Sequence, residues 1–316
     1  MTAAPSAIFL LPAAAAFGAQ RLERACAQAL GRADRPPAGE AGGQAQLLRH
    51  FEVLPRRLPF AALTRQADAG DAAGHAWLRA DPAHVRPDIN GARLLACGEA
   101  LALEAAEAAA LLRPLKPLFG DAGFPIDAPT PSRWYLRLPP QAQLPRFAPP
   151  SEALGADLFE HLAEGAEGRR WRALLNEAQI VLHNHPLNAA RAARGRAMVN
   201  SLWFWGGGVL PDRVASGLSA VGSDDESLCA LATAAGVPAG PGDAEFAAPA
   251  ADALFDLRAL RDLRQFAQAW LTPAFAALGR GELAALQLDL EDGQGYRFAR
   301  GQRWRFWRRP QASLQR

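Results

Sequence analysis

The chain is 316 residues long, half of them apolar, with a formal net charge of only +2 at neutral pH. That length holds one large domain or two of ordinary size, with enough apolar residues for a sizeable core. The near-neutral, dispersed charge argues against a nucleic-acid surface, and no run approaches the ~20 apolar residues of a membrane span, so neither a nucleic-acid nor a membrane partner is expected.

Ile8-Phe9-Leu10-Leu11 before Pro12 predicts a first buried strand, not a secretion signal, because the first basic residue, Arg21, follows the apolar run. Residues 17–30 have helical spacing (Leu22, Ala25, Cys26, Ala29), and residues 45–54 and 60–67 are expected as short helices. Residues 69–74, all small or charged, suggest a hinge. Residues 76–90 start as a strand and continue as charged loop. A strand at 92–97, a helix at 101–119 with Glu104 and Glu107 outward, and a strand at 133–138 form a small α+β unit. Proline-rich residues 139–150 read as a linker. The main body resumes with a helical region at 154–182. Later come a helix at 226–235, helical residues 257–278 broken at Pro273, and strands at 285–290 and 295–298. The last two flank Glu291-Asp292-Gly293-Gln294, a hairpin signal. Residues 303–307 are expected as a last strand in which arginines alternate with Trp304 and Phe306. With Arg300, Arg308 and Arg309 they make a candidate surface for an anionic or protein partner. Cys26, Cys97 and Cys229 lack CxxC spacing and read as reduced thiols of a cytosolic protein.

Two segments concentrate the chemistry. In residues 174–208 a helix stops near His183, because Pro186 disfavours helix at His185. Asn184 or His185 then caps a second helix, which carries Asn188 and Arg191 on one face and ends at Gly195. An apolar strand from Val199 to Trp205 leads into Gly206, Gly207 and Gly208, whose backbone N–H groups are free to approach a ligand. Convergent His185, Asn188, Arg191 and Asn200 suit a phosphate or carboxylate. Equally, the glycines are only a turn, and the asparagines hold loop carbonyls. The second segment, residues 79–88, holds Arg79, Asp81, His84, Arg86 and Asp88. It reads as a divalent-ion site made of Asp81, His84 and Asp88, with His183. It also reads as a phosphate clamp of Arg79 and Arg86, or as a salt-bridged loop.

The motifs ADPAHVRPD and LNEAQIVLHNHPLNAARAARG…VNSLWFWGGG resemble the RpfE-type regulatory proteins of proteobacteria, described as cofactor-independent phosphoglycerate-mutase-like. The second motif is more remotely similar to the archaeal type of that mutase. His185, Pro186, Asn188, Arg191, Asn200, Gly206 and Gly208 stand at its motif positions. The resemblance implies an α/β fold: a degenerate alkaline-phosphatase-like core with a mainly parallel sheet (residues 1–70 and 151–316) and a small inserted α+β domain of substrate type (71–150). The mutase reaction implied by that family needs two divalent metals and a phosphoryl-carrying serine. Here the first strand runs into Pro12-Ala13-Ala14, Thr64 is the only hydroxyl residue between Leu10 and Asp68, and no histidine follows His185. Asp252, Asp256, Asp262 and Asp289 remain without an imidazole or serine. The expected function is therefore a non-catalytic regulatory or binding protein, cytoplasmic, that holds a small anionic metabolite and needs no cofactor. The alternative is a metal-dependent phosphomutase or phosphatase with a non-standard site using Mn or Zn.

Overall fold

A computed structural model of the chain describes residues 4–88 and 91–315. It falls into two compact units: one joins the chain up to Arg57 with Asp212 onward, and the other is Leu58–Pro211.

The first unit begins with β1 (Ser6–Leu11), followed by α1 (Arg24–Arg32), α2 (Gly43–Leu47) and β2 (Glu52–Leu54). The second unit opens with α3 (Phe60–Ala69) and continues with β3 (Ala76–Asp88), β4 (Gly91–Cys97) and α4 (Ala105–Asp121). Then come β5 (Ile126–Asp127), β6 (Tyr135–Leu138), α5 (Pro150–Ala153), α6 (Gly165–His183), α7 (Pro186–Ala193) and β7 (Ser201–Gly208). The chain returns to the first unit with β8 (Arg213–Ala215), β9 (Ala220–Gly222), α8 (Glu226–Ala234), β10 (Ala239–Gly240) and β11 (Ala253–Asp256). It finishes with α9 (Leu263–Phe266), α10 (Thr272–Arg280), β12 (Ala285–Leu290) and β13 (Gly295–Ala299).

In the first unit β1 is central in a six-stranded sheet of order β10-β9-β11-β1-β12-β13. All its neighbouring pairs are parallel except β12–β13, the expected hairpin. The fold is thus mixed α/β with a parallel-rich sheet. A strand buried on both faces needs no polar alternation, and Ile8-Phe9-Leu10-Leu11 has none. Phe9 is the hub of this core: Phe246, Phe255, Phe266 and Trp270 meet it edge-on at 5.4–6.2 Å between centroids. Such quadrupole-favoured contacts add to the area buried.

The second unit is built on β3, thirteen residues long, which pairs with β4, β6 and β7. Its core stacks Trp171 on Phe124 at 5.1 Å and sets Trp171 against Phe204 at 5.2 Å.

Several expectations need correction. The expected charged loop after residue 76 is one strand as far as Asp88, because Asp81 is received by Arg79 of the same strand and by Trp205 of β7, and Asp88 by Arg93 of β4; Ile89 and Asn90 lie outside the described residues. Residues 52–54 are a strand, paired with β8, instead of a helix end. The unit changeovers fall at 57/58 and 211/212, not at 70/71 and 150/151. The cause is packing: α6 and β7 supply Trp171, Leu174, Leu175, Leu202 and Phe204 to the same core as β3 and α4. Leu144 and Phe147, from the proline-rich stretch expected as a linker, pack against that core as well. Residues 303–307 form no strand; Arg300–Trp304 is a 3-10 turn.

Candidate functional site

The two polar segments of the second unit meet. Antiparallel pairing of β3 with β7 sets Arg79 opposite Trp205, Asp81 opposite Trp203 and Ala83 opposite Ser201. Asn200 ties the junction: its side chain accepts from Val85 N (2.9 Å) and donates to Val85 O (2.7 Å), beside the register shift in β3.

Their polar atoms, however, are turned on the protein itself. His185 caps α7, its Nδ1 accepting from Leu187 N at 3.2 Å. Asn188 is buried; its Nδ2 donates to Leu182 O (2.7 Å) and Val199 O (2.9 Å), and its Oδ1 accepts from Val199 N (2.8 Å). Arg191 is 0% exposed. It donates to Glu107 Oε2 (2.6 Å), Leu101 O (2.6 Å) and Ala197 O (2.8 Å). Glu107, expected outward, is thus drawn inward under this guanidinium and also completes the capping box of α4. A buried charge is tolerated only when paired and hydrogen-bonded; Arg191 meets that condition, and Glu107 meets it through Oε2, while its buried Oε1 has no hydrogen-bond partner among the described residues.

The three glycines are strand, not ligand loop. They close β7 against β3, with Gly208 opposite Trp77. Gly206 has φ +68°, and a Cβ there would come 3.2 Å from Ala61 N; at Gly208 (φ +151°) it would meet Pro59 Cβ at 2.8 Å. Close approach of the start of α3 therefore explains both glycines. Arg79 and Asp81 are bonded to each other at 2.8 Å and nearly fully buried. Asp81 also accepts from Trp205 Nε1 at 2.7 Å, and Trp205 and Tyr135 lie under the Arg79 guanidinium at 4.9 and 5.5 Å.

The metal candidates do not form a donor set. Asp81 is committed to Arg79, and Asp88 to Arg93 at 2.6 Å. His183 is exposed at the end of α6. Burial pushes the His84 imidazole below its ordinary range, a hydrogen bond with the Met198 backbone opposes this, and Arg86 adds to the depression. Arg86 itself is exposed. Among the described residues no group of three or more His, Cys, Asp or Glu is arranged to hold a metal ion.

The first unit carries a second polar centre. In open α/β sheets ligands sit outside the carboxyl ends of the strands. There Leu10 of β1 is in register with Asp256 of β11 on one side and Asp289 of β12 on the other. Each carboxylate is gripped by an arginine. Arg49 reaches Asp289 Oδ1 through Nη2 (2.6 Å) and Oδ2 through Nε (3.0 Å), and His50 Nε2 lies 2.6 Å from Oδ2 as well. Arg258 holds Asp256 through Nε (2.7 Å) and Nη2 (2.6 Å), and Ser223 donates to it at 2.7 Å. Burial alone would raise both carboxyls; the hydrogen bonds from His50 and Arg49, and from Arg258 and Ser223, outweigh it and hold them below the usual range.

Beside Asp289 opens a cavity of about 560 Å³, lined among others by Arg49, His50, Glu52, Arg56, Ser216 and Gly217. That volume is in the range of small-molecule sites. Arg56 is exposed and makes no ion pair with any described residue. Sequence reasoning did not single out Arg49, His50 or Arg258. Arg49 and His50 acquire meaning only through Asp289, some 240 residues away, and no local motif encodes that pairing. Asp256 and Asp289 were visible but looked unsupported.

No family model matches the chain. A probable 2,3-bisphosphoglycerate-independent phosphoglycerate mutase of Geobacter sulfurreducens is 41% identical over 68 residues, which is 22% of this chain and 17% of that protein. A 2,3-bisphosphoglycerate-independent phosphoglycerate mutase of Methanosarcina barkeri is 38% identical over 63 residues, 20% of this chain and 16% of that one. The match thus spans about a sixth of each relative's length. Among solved structures, a Pyrococcus horikoshii protein aligns over 94% of this chain and 87% of its own (TM-score 0.48, 13% identity). The cofactor-independent phosphoglycerate mutase of Thermoplasma acidophilum aligns over 94% and 90% (TM-score 0.38, 15% identity). The chain is therefore similar to cofactor-independent phosphoglycerate mutases over part of its length.

Proposed function

We propose that the chain is a non-catalytic binding or regulatory protein on a phosphoglycerate-mutase-like scaffold, and that it holds a small anionic metabolite, a phosphate or a carboxylate. In this reading the first unit is a degenerate alkaline-phosphatase-like core. The narrower placement among RpfE-type regulatory proteins of bacteria, acting in the cytoplasm, rests on the two sequence motifs quoted above.

One observation carries the proposal: the two carboxylates flanking Leu10 at the carboxyl ends of the strands are each held in the fork of an arginine. Metal-dependent phosphoryl transfer needs such carboxylates free to hold cations that activate a nucleophile. A guanidinium supplies the compensating charge permanently and neither binds nor activates a hydroxyl. Between the two carboxylates β1 ends in Leu10 and Leu11, followed by Pro12, and none of these side chains can ligate or attack. The donor set present does not fit a pair of divalent ions.

The anion is assigned to the cavity beside Asp289. The polar atoms of Asn188 and Arg191 already serve buried backbone and Glu107, whereas Arg56 in that cavity is uncommitted. The test is turnover. The purified chain, supplied with Mn or Zn and either phosphoglycerate isomer, is followed by phosphorus NMR. No interconversion or phosphate release above a protein-free control is expected. Metal-dependent turnover, lost in Asp289→Asn, overturns the proposal and restores the phosphomutase or phosphatase alternative.

A further inference from the structure

The first unit buries Phe9, Phe17, Phe266 and Trp270, yet leaves Trp304 67%, Phe306 80% and Trp307 67% exposed. Single exposed apolar residues are ordinary, but three large aromatics within four residues form a patch of the kind that marks an interaction surface. Arginines interleave them: Arg300, Arg303, Arg305, Arg308 and Arg309, with no acidic residue after Asp292. Among the described residues, Arg305 is the one of these five drawn into an ion pair, with Asp34. Arg303, Arg308 and Arg309 are exposed and form no ion pair with a described residue. Arg32, at the end of α1, adds another cation by donating to Arg303 O at 3.1 Å.

The patch stands on a fixed base. Gln302 is buried and donates to Asp34 (2.8 Å) and Arg297 O (3.1 Å), and Gln311 N donates to Ala27 O at 2.9 Å. At Gly31 the Arg309 carbonyl packs so closely that a Cβ would lie 2.1 Å from its oxygen. The backbone is therefore tied down on both sides of the aromatics while their side chains point to water.

We propose that this patch docks the protein on an anionic phospholipid surface, with Trp304, Phe306 and Trp307 entering the interfacial layer and Arg303, Arg308 and Arg309 meeting lipid phosphates. Tryptophan and phenylalanine favour that layer, and each arginine near an anionic leaflet adds attraction without any spanning segment. The lack of an apolar span, read from sequence as no membrane partner, does not bear on surface docking. Two other occupants fit less well. Base stacking needs free ring faces, but Arg303 already lies over Trp304 at 4.9 Å, and Phe306 meets Trp307 edge-to-face at 5.4 Å. A second copy joined through the same patch would bring the arginines face to face, and like charges repel.

The test is co-sedimentation of the full chain with vesicles of phosphatidylcholine alone or mixed with phosphatidylglycerol. Binding is expected only to the mixed vesicles, falling as salt is raised. Trp304→Ser/Phe306→Ser/Trp307→Ser should lower partitioning by about tenfold or more. Arg308→Ala/Arg309→Ala should lower it by a similar factor, since each arginine is worth about 1 kcal/mol, roughly fivefold. Circular dichroism of both variants should match the parent. A single-stranded oligonucleotide and gel filtration run in parallel. Failure of the parent to bind mixed vesicles, equal binding to neutral vesicles, unchanged binding by both variants, or tighter capture of the oligonucleotide than of vesicles would each overturn the proposal. So would a dimer abolished by the aromatic substitutions.

Discussion

The joint where α7 and β7 meet β3 and the carboxyl edge around β1 are both rich in arginine, histidine and carboxylate, but they use them differently. At the first, Arg191 and Asn188 spend every polar contact on backbone and on Glu107. At the second, Arg49 and Arg258 close on Asp289 and Asp256, and a cavity with an uncommitted arginine lies alongside. Density of chemistry-bearing residues in sequence therefore does not mark a site. What matters is whether the fold leaves any of their donors and acceptors unspent.

The sharpest way to break this contrast is Arg191→Ala. If Arg191 is structural, the variant leaves Glu107 buried without its main partner, and the loss should be about 3–5 kcal/mol in a urea titration. Replacing Arg191 and Glu107 together by leucine or methionine should cost much less, because no charge is then stranded. Unchanged stability with weakened phosphate binding would reverse the assignment and return the ligand to α7.

Much of the fold was legible because its signals are local. The apolar run Ile8–Leu11, the hairpin at Gly293 and the proline at position 186 each dictate backbone within a few residues. The span after Trp77 misled for a physical reason. Its charged residues look like loop because nothing in the sequence shows that Asp81 will be received by Arg79 and Trp205, or Asp88 by Arg93. The same limit hid His50, whose partner lies 239 residues on. Conversely, the alternation at residues 303–307 suggested a strand, but alternation makes a strand only where a neighbour pairs with it; among the described residues Arg300–Trp304 is a 3-10 turn instead, with Trp304 and Phe306 exposed.

A second, smaller effect tests the carboxyl edge through pH. The folded Asp289 and Asp256 carboxyls lie below their ordinary values. Their stabilisation is therefore fully present above the unfolded-state pKa of about 3.9 and is lost as pH falls from there through the lower folded value. Asp289→Asn should remove about 1.5–3 kcal/mol near neutral pH, the usual worth of hydrogen bonds to a charged group. It should also flatten the stability decline below pH 4. An unaltered acid slope would mean that Arg49 and His50 contribute nothing net to the folded state there.

The smallest effect discriminates most finely, because it concerns the cavity alone. Arg56 is exposed, so its attraction for an anion is screened and should be worth about 1 kcal/mol, roughly fivefold in Kd. Glu52 lines the same cavity and carries the opposing charge. Arg56→Ala should weaken binding of inorganic phosphate in a calorimetric titration, and Glu52→Gln should tighten it by a few tenths of a kcal/mol. Both changes should leave the urea midpoint within experimental scatter, since neither side chain forms an ion pair with a described residue that its loss would strand. Opposite signs in binding, together with silence in stability, are what a ligand cavity requires and a structural ion pair cannot produce. If both variants bind as the parent does, the arginine-capped edge is as closed to ligands as the α7 joint, and the contrast between the two regions disappears.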